Sequence, residues 1–382
     1  MTTSTPTSLR LPEFAGRASA WEVEAVTSAA TYRAAQMGKV FGYLKGLHAT
    51  HLIDIGVKLG LFQHLANSPA GLPAQALAAA LALDPKYVRF WCETACALEL
   101  LDYDPAAGFR LAPGMDEILG DPDGTYFVGL FPNVHLLLAR DYERYPELFR
   151  TGGVFPYQEH DAPFFCSVAC GTSTLPRMFM DAVLPKLPAL QARLEKGGTV
   201  LDVGCGGGHA LVAFAERFPN VACVGIDVEP TSVRAAQELI QARGLAHRVE
   251  ARVVTGADWP TDLVQAFDLV TSFLVLHEIH PDLKSTVIGR CARAIRPGGQ
   301  VLIFDECYPS SPSKLRDSAQ IFAVMAQWYE LTWGNVVNTR EEIHALLSTQ
   351  GLRIVDETSL SRFYIVTAEQ DSTLVAPPGV AR

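Results

Sequence analysis

Residues 200–208 read V-L-D-V-G-C-G-G-G and combine one carboxylate with four glycines among the last five positions. Glycine lets a chain turn sharply and lets a ligand approach the backbone closely, because it has no Cβ. Residues 199–203 have the apolar and β-branched content of a buried strand, and residues 209–218 carry apolar side chains at helical spacing. A strand, a glycine turn and a helix in this order open a nucleotide-type βαβ unit. The predicted ligand contacts in the turn are Asp202, Gly204, Gly206 and Gly208.

A second carboxylate follows the next predicted strand. Residues 221–226 have a strand pattern and end at Asp227, nineteen residues after the glycine turn. A carboxylate at this position can accept hydrogen bonds from both hydroxyls of a ribose. A third strand, residues 249–255, is followed by Asp258 and Trp259, which could bind the amino group and the ring of an adenine. The remaining predicted contacts with this ligand are Val228, Ser272 and Phe273.

The spacing of the glycines argues against a dinucleotide site. A dinucleotide fingerprint, G-x-G-x-x-G, places glycine at its sixth position, where the helix packs on the strand beside a pyrophosphate. Counted from Gly204, that position holds His209, and the pattern here is D-x-G-x-G-x-G. Residues 352–358 and 362–367 predict a final strand pair, an antiparallel edge that separates this sheet from dinucleotide-binding folds. An NAD-linked oxidoreductase is therefore disfavoured.

Five strand units in this order resemble the class I S-adenosylmethionine-dependent methyltransferases. The matching pieces are V-L-D-V-G-C-G-G-G, G-I-D-V, G-A-D-W, F-D-L-V-T-S-F and R-P-G-G, and the resemblance covers residues 195–369. Each piece is short, but their joint order and spacing are specific. The resemblance implies a Rossmann-like α/β fold with a seven-stranded sheet whose last strand is antiparallel. It also implies S-adenosylmethionine as the cofactor.

His277 follows the fourth predicted strand, in the stretch L-V-L-H-E-I-H-P. Ligands bind at the carboxyl ends of strands in such sheets, and histidine is the most frequent general base. The plant-type O-methyltransferases carry a catalytic histidine in the pattern L-H-D-W at this place, so the resemblance implies that His277 is the base in an O-methylation. It also implies that Asp305, at the end of the fifth strand, hydrogen-bonds this histidine.

Two departures from that family leave other roles for His277 open. The D-W pair is replaced by Glu278 and Ile279, and we find no clear match for a further acidic residue of the family. His277 or His280 could instead cap the helix that follows. N- or S-methylation of an amine or a thioether would need no strong base, and His277 would then hold a carboxylate or hydroxyl of the substrate. A regulator that binds the cofactor without turnover is a further alternative.

Residues 121–194 form an aromatic-rich connector, which in the resembled family roofs the acceptor pocket. Residues 314–333 add an aromatic helix beyond the fifth strand, and in the family this insertion completes the pocket. Core packing is the more frequent role of any single aromatic residue. The predicted substrate contacts are Phe155, Tyr157, Phe165, Met178, Met325, Trp328 and Tyr329.

The N-terminal part of the chain is predicted to be mainly helical. Residues 1–17 are rich in Thr, Ser and Pro and are expected to be disordered, and the tail, residues 370–382, is expected to be flexible. Residues 18–120 predict helices followed by a short β-wing, which is winged-helix architecture. Their pattern resembles the N-terminal dimerisation domain of plant-type and bacterial small-molecule O-methyltransferases, and this resemblance implies a homodimer.

Charge argues against nucleic acid and membrane partners. The 382-residue chain has a net charge of −10, and residues 72–120 hold three basic and seven acidic residues, whereas a DNA-binding helix needs Lys and Arg to neutralise phosphates. No apolar stretch reaches the length of a membrane span, and no secretory signal is visible. Eight scattered cysteines suit a reducing compartment, and their C-x-x-x-C pairs lack the spacing of zinc ligands. We expect a cytoplasmic protein that acts on a small molecule without a metal.

Overall fold

The computed structural model describes residues 20–255, 259–360 and 362–371. The predicted adenine contact Asp258 lies outside these residues, so its assignment stays a prediction. Among the helices of the described segments, none is long and apolar enough to cross a membrane.

The chain divides into two compact units, Met1–Leu52 and Ile53–Arg382. What is described of the first unit belongs to helix α1 (Ala20–Lys58). Many large apolar side chains of this unit are exposed rather than packed in a core. They are Tyr32, Met37, Val40, Phe41, Tyr43, Leu44 and Leu47.

The second unit begins with three helices and a two-stranded antiparallel hairpin. The helices are α2 (Leu61–Ala66), α3 (Ala74–Ala80) and α4 (Pro85–Ala97), and the strands are β1 (Leu101–Asp104) and β2 (Gly108–Leu111). Asp84 caps α4, because its carboxylate accepts the N–H groups of Lys86 and Tyr87. Phe62 and Trp91 pack edge to face with ring centroids 5.0 Å apart, so α2 and α4 share one core. The hairpin occupies the position of the predicted β-wing, while the predicted domain boundaries stay predictions.

Short helices connect this hairpin to a large sheet. They are α5 (Phe131–Leu138), α6 (Tyr145–Thr151), α7 (Ala162–Gly171), α8 (Leu175–Met178) and α9 (Pro188–Glu195), joined by short 3-10 and π turns. An apolar cluster forms where these helices meet the C-terminal part of the chain. Its buried members are Leu138, Phe155, Phe164, Phe165 and Trp333.

The C-terminal part is a seven-stranded mixed sheet. Its strands are β3 (Gly198–Val203), β4 (Val221–Asp227), β5 (Val249–Val253), β6 (Phe267–Phe273), β7 (Ile295–Glu306), β8 (Leu352–Leu360) and β9 (Phe363–Gln370). Its helices are α10 (His209–Arg217), α11 (Pro230–Ala242), α12 (Pro281–Ala294), α13 (Ile321–Trp333) and α14 (Arg340–Thr349). The strand order is β5-β4-β3-β6-β7-β9-β8, and β9 runs antiparallel to both of its neighbours. The predicted seven-stranded α/β fold with an antiparallel last strand is confirmed.

Neighbouring residues of the central strands enter two different apolar clusters. Val200 belongs to the cluster that includes α10 and α11, whereas Leu201 belongs to the cluster that includes α12 and α14. Leu269 and Val270 on β6 alternate in the same way. Because successive side chains of a strand point to opposite faces, helices cover both faces of β3 and β6. This double burial explains why these strands are continuous apolar runs in the sequence.

Strand β7 begins earlier than the sequence predicts. The R-P-G-G stretch is expected to turn into a strand at residues 300–304, but it lies inside β7, which spans Ile295–Glu306. Gly298 has a φ of +78°, and the pairing of β7 with β6 shifts register between Phe267 and Leu269. The turn is therefore accommodated as an irregularity within one long strand.

The order of the strands reverses at β3, because β4 lies on one side of it and β6 on the other. Ligands of open α/β sheets bind outside the carboxyl ends of the strands at such a reversal. The carboxyl ends of β3, β4 and β6 carry the glycine turn, Asp227 and the chain leading to His277. The fold therefore brings these three groups to one edge of the sheet.

Candidate active site

A cavity of about 310 Å³ lies at the carboxyl ends of β3, β4 and β6. The glycine turn, Asp227 and His277 line it from the side of the sheet, and residues of α5, α7 and α13 line it from the other side. A cavity of this size with mostly apolar walls and a few convergent polar groups is typical of a small-molecule site.

The glycine turn depends on residues without a Cβ. Gly204, Gly206 and Gly208 have φ values of +74°, +50° and +78°, which L side chains rarely adopt. A Cβ on Gly204 would lie 2.4 Å from a methyl group of Val275. The backbone N–H of Gly206 donates to Asp227 Oδ2 at 2.8 Å, so the carboxylate that ends β4 holds the turn that follows β3.

Asp202 is buried at the base of the cavity, and its Oδ1 accepts a hydrogen bond from the Thr271 hydroxyl at 2.6 Å. Burial raises the pKa of Asp202 to about 7, and the charge of Asp227 acts in the same direction. Trp259 lines the same cavity, and its indole N–H is buried without a hydrogen-bond partner among the described residues. Both groups are therefore available to a ligand.

Most of the predicted cofactor contacts line the cavity. These are Asp202, Gly204, Gly206, Asp227, Val228, Trp259 and Phe273. Ser272 is buried in β6 and does not line the cavity. Gly208 does not line it either, because it packs against α11, where a Cβ would lie 2.9 Å from the Ala236 Cβ.

His277 lies on a 3-10 turn, Leu276–Glu278, that follows β6, and its side chain is buried in the cavity wall. Its Nδ1 lies 2.5 Å from Asp305 Oδ1, and its backbone N–H donates to Asp305 Oδ2 at 3.2 Å. Asp305 accepts from both groups, so it fixes the ring and keeps a proton on Nδ1. The capping role weighed for His277 belongs to His280, whose Nδ1 accepts the N–H of Asp282 at the start of α12.

Glu330 on α13 is a site residue that the sequence analysis missed. Its Oε1 lies 3.9 Å from His277 Nε2 and has no hydrogen-bond partner among the described residues, while its Oε2 accepts from the Asn335 amide at 3.0 Å. Glu330 comes 53 positions after His277 and belongs to no motif, so only the packing of α13 over the sheet reveals it. His277 therefore lies between two carboxyl groups.

Burial and neighbouring charges set the protonation of His277, Glu278 and Glu330. Burial disfavours the charged form of His277, but Asp305 outweighs it and, with Glu330, raises the pKa of His277 to about 10. Burial also raises the pKa of Glu330 and Glu278 above the usual range of carboxyl groups, although the nearby His277 lowers it. An imidazolium that forms at His277 is consequently stabilised from both sides.

One atom each of His277, Glu278 and Glu330 lies within 4.8 Å of the other two. One imidazole and two carboxylates could hold a divalent cation, and Asp305 is placed as the outer carboxylate that often orients such a histidine. The expectation that the protein acts without a metal stays untested.

Three of the seven predicted substrate contacts line the cavity. They are Tyr157, Phe165 and Tyr329. Phe155 packs inside the aromatic cluster instead, and Met178 packs against the core. Met325 and Trp328 do not line the cavity and are 45% exposed. Lining residues that the sequence analysis did not single out include His135, Phe164, Trp333 and Arg362.

Comparison with known proteins gives matches to methyltransferases. Residues 200–299 match the family model described as Methyltransferase domain. The chain is 34% identical over 135 residues to the ubiquinone biosynthesis O-methyltransferase of Pseudomonas paraeruginosa, a match that covers 35% of this chain and 53% of that protein. The protein of the same description from Pseudomonas syringae pv. tomato is 36% identical over 135 residues, with the same coverage. The chain spans about half the length of the curated relatives it matches.

Solved structures share the fold over most of the chain. Human N-acetylserotonin methyltransferase in complex with S-adenosylmethionine has a TM-score of 0.70 and 17% identity, covering 88% of this chain and 98% of that one. An O-methyltransferase family protein from Burkholderia thailandensis has a TM-score of 0.67 and 19% identity with the same coverage. Residues 200–299 are therefore similar to a methyltransferase domain, and the chain shares its fold with these solved structures.

Proposed function

We propose that the protein transfers the methyl group of S-adenosylmethionine to a hydroxyl group of a small-molecule acceptor. The observation that carries this proposal is the position of His277, which lies between Asp305 and Glu330 in the cavity that the glycine turn also lines. A cofactor turn and a candidate base in one cavity are what a hydroxyl acceptor requires.

The residues of the cavity fit the cofactor. The open glycine turn leaves room for a ligand close to the backbone, and Asp227 lies where a carboxylate would bind the ribose hydroxyls. Asp202 is suited to a positively charged amino group, because an adjacent cation favours the carboxylate form of a buried acid. Trp259 offers an indole N–H and a flat apolar face to the adenine. When bound, the cofactor supplies a methyl group already activated on a positively charged sulfur.

His277 would remove the proton of the acceptor. Its Nδ1 is occupied by Asp305, so Nε2 is the nitrogen that would accept the hydroxyl proton when the acceptor oxygen takes the methyl group that the cofactor would supply. A positively charged cofactor in the cavity would lower the pKa of His277 and so favour the neutral imidazole that a base must be. Asp305 and Glu330 then stabilise the imidazolium that results.

Orientation supplies much of the remaining rate. Holding two reactants in line can be worth roughly 7–11 kcal/mol of the barrier. The aromatic walls that Tyr157, Phe165 and Tyr329 contribute would orient the acceptor beside the cofactor. Methylation of an amine or a thioether, and cofactor binding without turnover, remain the alternatives, and neither requires the buried pairing of His277 with Asp305.

The cofactor assignment is tested with Asp227→Asn. Asparagine keeps the size of the side chain but loses the negative charge on the oxygens that accept the Gly206 N–H and would accept the ribose hydroxyls. We expect the dissociation constant of S-adenosylhomocysteine, measured by calorimetry, to rise by about 10-fold to 100-fold, as for a charged hydrogen bond. Asp262→Asn is the matched control, because Asp262 is exposed, pairs with Arg252 and does not line the cavity. Unchanged affinity in Asp227→Asn would remove the ribose assignment.

The role of His277 is tested with His277→Ala. We expect turnover to fall by about 100-fold or more, because general-base catalysis contributes that much, while the affinity for S-adenosylhomocysteine changes by less than about threefold. His280→Ala is the matched control and should retain turnover, because His280 is an exposed cap of α12. Normal turnover in His277→Ala would contradict the base and favour an amine or thioether acceptor.

A pH profile tests the pair formed by His277 and Asp305. The rate should rise with pH as His277 loses its proton, since only the neutral imidazole accepts one. Asp305 raises the pKa of His277, so Asp305→Asn should move this limb of the profile to lower pH and also lower the plateau, because the ring loses its orientation. Turnover is measured at saturating cofactor between about pH 6 and pH 10. If the rising limb lies at the same pH in Asp305→Asn as in the unaltered protein, a group other than His277 controls the pH dependence of the rate.

We also propose that the protein is a homodimer. The support is the run of exposed apolar side chains on α1, which a second copy of the chain would cover. Light scattering should give twice the mass of one chain, and Phe41→Asp should lower that mass toward the monomer. A single-chain mass for the unaltered protein at micromolar concentration would contradict the proposal.

A further inference from the structure

Arg362 is a cation in the wall of the cavity. It precedes β9, its side chain is 15% exposed, and it lines the same cavity as His277 and Tyr329. Three phenylalanine rings contact its guanidinium group, with Cζ at 4.4 Å from the ring centroid of Phe322, 4.8 Å from that of Phe363 and 5.2 Å from that of Phe131. These rings hold the guanidinium group in place and exclude water from around it.

The hydrogen-bonding capacity of Arg362 is mostly unused. A guanidinium group carries five N–H donors. Its nearest carboxylate is Glu306, whose Oε1 lies 3.4 Å from Nε, and no described residue accepts a hydrogen bond from the two terminal nitrogens. Glu306 Oε2 is itself buried and has no hydrogen-bond partner in the segments that the structure describes. The two residues therefore form a single loose contact, which does not satisfy either group.

His135 on α5 lines the same cavity as Arg362, and both contact the ring of Phe131: the ring centroids of His135 and Phe131 are 5.4 Å apart, and Arg362 Cζ lies 5.2 Å from the Phe131 centroid. Burial lowers the pKa of His135, and the charge of Arg362 adds to the effect, so the ring is neutral at neutral pH and donates one N–H. Neither ring nitrogen is hydrogen-bonded to a residue in the described part of the chain. His135 and Arg362 thus present unused donors to the acceptor side of the cavity.

We propose that Arg362 and His135 form a subsite for a carboxylate group of the acceptor. A planar guanidinium group with free terminal nitrogens binds a carboxylate through two parallel hydrogen bonds, and a neutral imidazole N–H adds a third donor. The rings around this subsite suit an acceptor with an apolar or aromatic body. The acceptor is then a hydroxy acid, and this inference rests on the proposed methyl transfer to a hydroxyl group.

An ion pair that serves only the fold is the competing explanation for Arg362. It would link the end of β7 to the start of β9 through Glu306. A structural pair of this kind is expected to be satisfied by hydrogen bonds, because an incompletely paired buried charge is destabilising. The unused donors of Arg362 and the unpartnered oxygen of Glu306 instead leave a place for a ligand.

The test measures binding to the protein saturated with S-adenosylhomocysteine. Hydroxybenzoic and hydroxynaphthoic acids are each compared with their primary amides by calorimetry at about pH 7.5, where the acids are ionised. We expect at least one acid to bind about tenfold or more tightly than its amide. In Arg362→Gln the affinity for that acid should fall by roughly 30-fold or more, while the affinity for the amide changes by less than about threefold. The affinity of Arg362→Lys for that acid should lie between the affinities of the unaltered protein and of Arg362→Gln, because lysine keeps the charge but not the planar fork.

Arg340→Gln is the matched control. Arg340 also lies against the β8–β9 edge, pairs with Glu357 and contacts the ring of Tyr364, but it does not line the cavity. Arg340→Gln should therefore still bind the acid more tightly than its amide. The proposal is overturned if the unaltered protein binds none of the acids or prefers none of them over its amide, or if Arg362→Gln weakens the acid and the amide equally.

Methyl transfer from labelled S-adenosylmethionine is measured on the same samples, which separates this inference from the proposed function. Transfer to neutral phenols without a preference for acids would refute the carboxylate subsite and support the methyltransferase activity. A preference for acids that depends on Arg362, without any transfer of label, would support the subsite and refute the proposed function.

Discussion

Hydrogen bonds to the carboxylate of Asp227 hold the glycine turn on which the proposed cofactor site depends. Its Oδ2 accepts the N–H of Gly206 and its Oδ1 accepts the N–H of Glu229, so one carboxylate ties the turn after β3 to the chain after β4. The turn keeps its left-handed backbone because it is held there and because no Cβ opposes it. The remaining walls of the cavity are arranged around this fixed edge of the sheet.

The sheet could be predicted from the sequence because its parallel strands can be recognised from short stretches of residues. Strands β3, β4 and β6 are short apolar runs that lead into a glycine, a carboxylate and an aromatic residue, and the order of these endings indicates the fold. The pairing of His277 with Asp305 was an implication of the family resemblance, and the structure has it because His277 follows β6 and Asp305 lies near the end of the adjacent β7. The R-P-G-G stretch misled because a local turn signal was absorbed into a long strand, whose pairing with β6 continues past it.

The acceptor side of the cavity could not be predicted in the same way. Helix α13 is apolar on most of its surface, so its sequence does not reveal which face is inward. Tyr329, Glu330 and Trp333 face the cavity, whereas Met325 and Trp328 do not line it. Glu330, His135 and Arg362 line one cavity because α13, α5 and the residue before β9 contribute to its walls. No fixed spacing of residues in the sequence indicates that these three side chains line one cavity.

The position of Glu330 has a consequence for how such an enzyme can diversify. The same turn of α13 that contributes Tyr329 and Trp333 to the acceptor wall also carries the carboxyl group beside His277. A substitution or shift that reshapes this helix also displaces the carboxyl group that lies beside His277. Under the proposed function, acceptor selectivity and the environment of the base are therefore coupled through α13, whereas the glycine turn and Asp227 lie on other elements and can stay unchanged.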